Sequence, residues 1–261
     1  MRGASIKWPD MSTRPAPREL TVIRRERVTP SLQRVTVGGA GLDGFPSEQQ
    51  GGYLKLFLGE DGKGRPIVRT YTIRHQRADE LDIDFALHGD DAVGPATQWS
   101  LRAEPGETIA VGGPGAAKPL PNAHDFYLIA GDMTALPAIA VNLAALPENA
   151  RGVAAIEVQN EADRLDLDKP DGVEIRWLVN REPGSQPDLL ADELRSVALP
   201  QGNIAGWAAC EFSSMRNLRA LLRDDLGLRG PSLYISSYWK AGLVEDDHKI
   251  AKREDAEAQA A

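Results

Sequence analysis

Residues Arg69-Thr70-Tyr71-Thr72 place a cation, an aromatic ring and two hydroxyls in one short segment rich in β-formers. Because alternate residues of a strand point to the same face, Arg69 and Tyr71 are expected on one face and Thr70 and Thr72 on the other. A flavin needs such groups: a ring against its isoalloxazine, a hydroxyl at its polar edge and a cation near its phosphates. The same run is also ordinary β-sheet composition, so alone it only suggests a flavin site.

A second segment is suited to an anion. Gly94 lets the backbone approach a phosphate closely, and Pro95 favours the first turn of a helix. The amides of Ala96 and Thr97 would then point at the anion from the helix N-terminus. The alternative interpretation is a plain turn followed by a helix.

The first half of the chain is predicted to form a six-stranded antiparallel barrel. Short segments rich in β-formers alternate with Gly and Pro clusters that are typical of turns. The predicted strands are residues 20–28, 32–37, 53–58, 67–74, 81–87 and 108–111, with a short helix between Gly94 and Pro105.

The second half alternates strands and helices, which predicts a parallel sheet of the nucleotide-binding type. Predicted strands are 126–130, 153–158, 173–179, 204–210 and 232–236, and predicted helices are 136–146, 188–199 with Asp188 as N-cap, and 213–226 closed by Gly227. The charged tail 244–261 is predicted as an exposed helix. We place an FAD-binding barrel domain at 14–122 and an NAD(P)H-binding-like domain with a C-terminal extension at 123–261. A barrel followed by such a domain is the architecture of the ferredoxin-reductase class.

Composition excludes several classes of function. A net charge of -8 disfavours binding to nucleic acid or to anionic membranes. Cys210, the single cysteine, cannot form an internal disulfide, an iron–sulfur cluster or a cysteine-based zinc site, so we expect a reducing cytoplasm. Residues 1–20 show no apolar h-region, so no signal peptide is expected, and no apolar run approaches the roughly 18 residues of a membrane span.

Several motifs in consistent order resemble the siderophore-interacting protein family. R-T-Y-T is followed by D-F-A-L-H-G at 84–89 and G-P-A-x-x-W at 94–99. The second half contributes L-I-A-G-D-M-T-A-L-P-A-I at 128–139, W-A-A-C-E at 207–211 and Y-W-K-x-G at 238–242. The sequence departs from the family pattern where Met133 replaces an acidic residue, Cys210 replaces a small one and Pro114-Gly115-Ala116 stands for P-R-G.

The resemblance implies an FAD-dependent reductase that releases siderophore iron as Fe(II) in the cytoplasm, with electrons from NAD(P)H. Electron transfer requires no catalytic side chain, and we expect no resident metal. Gly131 to Thr134 would form the first turn of the nicotinamide domain, although Asp132 is equally interpretable as a helix N-cap. The implied cofactor-binding residues are Arg69, Thr70, Tyr71, Thr72, His88, Gly94, Pro95, Ala96, Thr97, Gly131, Asp132, Thr134 and Trp239.

The expected substrate needs local positive charge. Ferric catecholates are polyanions, so a protein with net charge -8 must offer cations at the site. The substrate-binding candidates are Lys55, Lys118 and Lys240, for each of which a solvated surface lysine is the alternative. Arg74 and His75, which follow the flavin segment, are reserve candidates.

Three rival functions are retained. The first keeps the flavin but takes electrons from ferredoxin, docked on a basic patch of Lys249, Lys252 and Arg253 in the tail. The second is a siderophore-binding protein without flavin, against which the intact R-T-Y-T and G-P-A argue. The third is a general flavin reductase. Arg164 is a candidate for a 2′-phosphate contact or a plain surface charge.

Overall fold

The computed structural model describes residues 16–87, 94–243 and 245–260. Its first half is a closed antiparallel barrel with strand order β1-β2-β5-β4-β3-β6. Leucine, isoleucine and valine side chains fill the interior, as alternation along half-buried strands requires. The predicted barrel is thus confirmed. Its strands are β1 Arg18–Thr29, β2 Leu32–Gly38, β3 Tyr53–Glu60, β4 Pro66–Gln76, β5 Glu80–Ala86 and β6 Thr108–Gly115.

The closed barrel has one weak seam, between β4 and β5, where the ladder of paired residues is short. β4 pairs with β3 from Tyr53↔Thr72 onward, but its register with β5 starts only at Ile73↔Ile83. The first part of β4 and the last part of β5 therefore separate. Helix α1, Pro95–Arg102, packs close to β2, β3 and β5 beside this seam.

The second half is a five-stranded parallel sheet with strand order β11-β10-β7-β8-β9. All residues of the central strand β7 are buried, as expected for a strand covered on both faces. Helix α2 packs on one face, and α3 and α4 pack on the other. The strand order reverses between β7 and β10, so a ligand cleft is expected there at the carboxyl ends of the strands. The elements are β7 Phe126–Gly131, α2 Leu136–Ala144, β8 Gly152–Val158, β9 Val173–Val179, α3 Leu189–Arg195, β10 Ile204–Glu211, α4 Phe212–Arg219 and β11 Leu233–Trp239.

Two predicted helices differ in detail from the observed ones. α4 continues as a π-helical turn over Ala220–Asp225, and the chain turns away at Gly227 with φ +70°. α3 ends at Arg195, and the side chain of Asp188 does not cap it. Asp188 Oδ1 instead accepts a hydrogen bond from Asn217 Nδ2 at 2.8 Å. A tertiary contact has replaced the local cap.

The C-terminal helix α5, Glu245–Ala260, is docked rather than fully exposed. His248 is 5 % exposed, with Nε2 lying 2.9 Å from Ser237 Oγ on β11. Arg219 of α4 forms two hydrogen bonds to Asp255, at 2.5 and 2.9 Å. The prediction of an exposed helix is therefore wrong for one of its faces, because the partners of that face lie far away in the sequence.

A buried carboxylate joins the barrel to the α/β unit. Asp163 is 0 % exposed, and its Oδ1 accepts hydrogen bonds from Thr29 Oγ1 at 2.6 Å and from Ser31 N at 2.8 Å. Its Oδ2 accepts from Asn160 N at 2.9 Å. The β1–β2 turn of the barrel is thereby fixed against the segment that follows β8. The boundary predicted at 122/123 falls between β6 and β7 and remains a prediction.

Candidate functional site

The R-T-Y-T segment lies on β4 at the seam between β4 and β5. Tyr71 is half-buried, and its ring centroid lies 4.3 Å from that of Phe85 on β5. Arg69 is also half-buried and donates from Nη1 to Val68 O at 2.9 Å. Thr70 is exposed and pairs with Lys55 of β3. The strand thus presents an aromatic ring and a cation beside the seam, and hydroxyls on its outer face.

The start of α1 has the features of an anion site. Gly94 occupies the N-cap in an extended conformation, with Pro95 in the first turn and no side chain capping the helix. Among the described residues, a Cβ added at Gly94 would meet nothing within 4 Å, so none of them crowds the backbone at the start of this helix. His88 lies outside the described residues.

These residues fit an FAD. Tyr71 can cover the isoalloxazine, Arg69 supplies a cation, and the helix start can take phosphate oxygens. The absence of a side-chain cap, within the described part of the chain, leaves those amides for a ligand.

A small pocket lies at the carboxyl edge of the parallel sheet, beside the β7–β10 switch point and mainly over the ends of β7, β8 and β9. The ends of β7, β8, β9 and β11 all contribute to it. It is lined by Asp132, Met133, Glu157, Val158, Gln159, Asn180, Pro183 and Trp239.

The carboxylate of Asp132 links three segments at this edge of the sheet. Its Oδ1 accepts from Thr134 N at 2.9 Å and from Thr134 Oγ1 at 2.5 Å. Its Oδ2 accepts from Glu211 N at 2.8 Å and from Trp239 Nε1 at 2.7 Å. These contacts use the acceptor capacity of the carboxylate. They hold the turn between β7 and α2, whose N-cap is Ala135 without a side-chain cap, and they fix Trp239 at the rim of the pocket.

Glu157 carries the unusual electrostatics of the pocket. It is 6 % exposed, and Asn180 Nδ2 donates to its Oε1 at 2.9 Å. Burial, followed by the charges of Asp132 and Glu211, raises the pKa of Glu157 to about 7. Sequence reasoning missed Glu157, although a carboxylate near the end of the apolar run of β8 was a usable signal.

The neighbouring acidic residue Glu211 is fixed by backbone donors. Its carboxylate accepts from the amides of Ser213, Ser214 and Ala241. Cys210, the residue before Glu211, points into the apolar core beneath α3 and α4. Burial raises the pKa of its thiol well above the ordinary value, so the thiol stays protonated.

The three candidate lysines occupy different parts of the fold. Lys55 is half-buried on the outer face of β3, and Lys118 is exposed in the irregular segment that connects β6 to β7. Lys118 O accepts from Trp207 Nε1 at 2.8 Å, which fixes its backbone. The ammonium of Lys240 lies 4.5 Å from the centroid of the Phe212 ring. Their substrate role stays a prediction.

The other predicted cations have local partners. Lys252 donates to Ser236 Oγ at 2.6 Å and to Ser237 O at 3.1 Å, so its ammonium is held against β11, and the predicted ferredoxin patch stays a prediction. Arg253 lies 3.8 Å from Glu257. Arg164 forms a 2.5 Å ion pair with Glu161.

Comparison with known families decides the affiliation. The sequence model described as "Siderophore-interacting FAD-binding domain" matches residues 21–66 and 60–118, and that described as "Siderophore-interacting protein" matches residues 124–242. This chain belongs to the siderophore-interacting protein family. The family resemblance is confirmed, and the barrel half is an FAD-binding domain.

Relatives include the ferric vibriobactin reductase ViuB of Vibrio cholerae, which is 34% identical over 88% of this chain and 92% of its own. The NADPH-dependent ferric-chelate reductase of Escherichia coli is 30% identical over 77% of this chain and 84% of its own. These relatives support an oxidoreductase activity.

Solved structures agree with the fold. The siderophore-interacting protein SipS of Aeromonas hydrophila superposes with a TM-score of 0.82 at 33% identity, covering 93% of this chain and 98% of its own. The ferredoxin-NADP+ reductase of Plasmodium falciparum, with a TM-score of 0.62 at 12% identity over 85% of this chain and 96% of its own, shares the fold. Among the described residues, no helix is long and apolar enough to cross a membrane.

Proposed function

We propose that this chain is a cytoplasmic, FAD-dependent reductase of ferric siderophores that takes electrons from NAD(P)H and releases iron as Fe(II). Bound FAD supplies the redox chemistry, because a flavin accepts two electrons together and gives them up singly. Ferrous iron binds hard oxygen donors less tightly than ferric iron does, so one-electron reduction releases the metal from its chelate.

The adjacency of the two sites carries this proposal. Gln159, at the rim of the sheet-edge pocket, donates from Nε2 to Leu87 O at 2.5 Å, and it also lies 3.7 Å from Met133 Sδ. Leu87 directly follows β5, which borders the seam at Tyr71. A donor in the pocket and a flavin at the seam would therefore be neighbours.

The donor proposal favours NAD(P)H over ferredoxin. The carboxyl edge of the parallel sheet, where this pocket lies beside the β7–β10 switch point, is the edge at which such sheets bind dinucleotides. In the basic patch proposed for ferredoxin, one of the three cations, Lys252, is held against β11, which limits how freely that side chain can reach a partner.

The test is anaerobic reduction of the purified yellow protein with NADH, NADPH or reduced ferredoxin, followed by ferric siderophores. We expect a nicotinamide donor to bleach the flavin and a ferric siderophore to restore its colour. Denaturation should release one FAD per chain. Release of FMN, or a colourless protein, would refute the flavin assignment, and activity on free flavin alone would favour a general flavin reductase.

Replacing Tyr71 with alanine should weaken FAD binding. Loss of an aromatic contact is worth roughly 1–3 kcal/mol, by analogy with base stacking. FAD titration of apo-protein measures the change. Tyr71→Phe keeps the ring and should retain most of the affinity, whereas equal affinity of Tyr71→Ala and the parent protein would refute the assignment.

Replacing Lys55 with alanine should raise the apparent KM for an anionic ferric catecholate several-fold. One partly exposed charge contact is worth about 1 kcal/mol, and added salt should shrink the effect. A neutral ferric hydroxamate should respond much less. Lys63→Ala, in the exposed turn between β3 and β4, is the matched control. Equal, salt-independent losses for both substrates would show that Lys55 acts through structure.

A further inference from the structure

The carboxylate of Glu157 combines deep burial with an unused acceptor. Asn180 Nδ2 holds Oε1, while Oε2 accepts no hydrogen bond from the described residues, and the side chain lines the sheet-edge pocket. Asn180 is itself fixed, because its Oδ1 accepts from Glu182 N, Ser185 Oγ and Gln186 Nε2. The orientation of Glu157 is therefore set by a supported network rather than by free rotation.

The neighbours of Glu157 define what the pocket will accept. Asp132 and Glu211 lie near enough to act on its charge, yet both carboxylates are satisfied by protein donors. Three carboxylates repel a phosphate, and the free oxygen of Glu157 needs a hydrogen-bond donor. Within the described ranges, no group of three or more His, Cys, Asp or Glu is arranged to hold a metal ion. The pocket therefore fits an uncharged or cationic donor group.

We propose that Glu157 is a specificity-determining residue of the electron-donor site, where its free oxygen accepts a hydrogen bond from an uncharged group of the nicotinamide dinucleotide. Two groups of that ligand have this chemistry: the carboxamide of the nicotinamide and a hydroxyl of the adenosine ribose. The inference rests on the proposed use of NAD(P)H. Under this proposal, the carboxylate of Glu157 determines whether the nicotinamide end or the adenosine end of the dinucleotide binds in the pocket.

Glu157→Gln tests the inference because the substitution preserves shape while reversing polarity. Asn180 Nδ2 will keep the glutamine oxygen on its side, so the amide NH2 will face the pocket where the ligand needs an acceptor. The experiment is calorimetric titration of the FAD-loaded protein at pH 8 with NAD+, NADP+, nicotinamide mononucleotide and AMP. We expect NAD+ to bind about tenfold more weakly to the variant, the effect of one hydrogen bond to a charged acceptor.

Nicotinamide mononucleotide and AMP, the two halves of NAD+, distinguish the carboxamide from the ribose hydroxyl as the group that Glu157 binds. If the carboxamide is recognised, the loss will appear with nicotinamide mononucleotide, and NAD+ and NADP+ will weaken equally. If the ribose hydroxyl is recognised, the loss will appear with AMP, and NADP+ will bind relatively better to the variant because a carboxylate no longer repels its 2′-phosphate. Glu148→Gln, at an exposed site in the turn before β8, is the control and should leave every affinity unchanged.

Unchanged NAD+ affinity in Glu157→Gln, with the flavin of the parent protein still reduced by NADH or NADPH, would overturn this inference alone. If no nucleotide binds and only reduced ferredoxin bleaches the flavin, the donor proposal fails and this inference fails with it.

Discussion

Replacing Asp163 with alanine should lower the free energy of unfolding by about 3 kcal/mol or more. The carboxylate is fully buried and accepts from Thr29 Oγ1, Ser31 N and Asn160 N. Without it, these donors lose their acceptor in an environment that excludes water, and each unsatisfied buried group costs about 1–3 kcal/mol. Urea unfolding followed by circular dichroism measures the loss.

The same variant should loosen the join between the two halves of the protein. Thr29 and Ser31 belong to the barrel, whereas Asp163 follows β8 of the parallel sheet. Flavin release during urea titration should therefore begin at a lower concentration than in the parent protein. Asp166→Ala, an exposed site three residues away, should change stability by less than about 0.5 kcal/mol. Equal stabilities of the two variants would contradict the assignment.

The sequence predicted the strands well where burial alone decides the pattern. Phe126–Gly131 reads as a continuous apolar run because helices cover both faces of that strand. The six barrel strands were visible because Gly and Pro interrupt each run of β-formers. In both cases the residues that determine the strand lie within it or next to it, so local composition and the spacing of apolar residues were sufficient to predict it.

Prediction failed where distant partners determine the outcome. The tail appears polar and therefore exposed, yet Ser237 and Arg219 hold one face of α5. Asp163 forms a local capping box with Asn160, and nothing in the sequence shows that its other oxygen reaches Thr29.

In the candidate site, too, local motifs could be predicted from the sequence and contacts between distant residues could not. Short motifs located the R-T-Y-T seam and the helix start at Gly94. The fold alone shows that Glu157, Asn180 and Trp239 meet at one edge, because parallel strands bring together residues far apart in the sequence.

Replacing Glu157 with glutamine should stabilise the protein at high pH and leave it unchanged at low pH. The pKa of Glu157 is raised from its ordinary 4.5 to about 7 by burial and by Asp132 and Glu211. The folded state therefore holds this proton more tightly than the unfolded state. Its contribution to stability is fully present below about pH 4.5 and is lost progressively as the pH rises through about 7.

The expected size follows from the two pKa values. The difference between 4.5 and about 7 corresponds to about 3 kcal/mol above pH 8, an upper value because the site can relax. Glutamine imitates the protonated carboxyl and can still accept from Asn180 Nδ2, so it avoids the cost of a buried charge. Urea unfolding of both proteins at pH 5, 6, 7 and 8 gives the difference directly. Other titrating groups are common to both proteins and cancel, and Glu161→Gln should show no such trend. A stability difference that stays constant across this range would mean that Glu157 remains ionised in the folded protein throughout, and that the pocket is better solvated than its burial indicates.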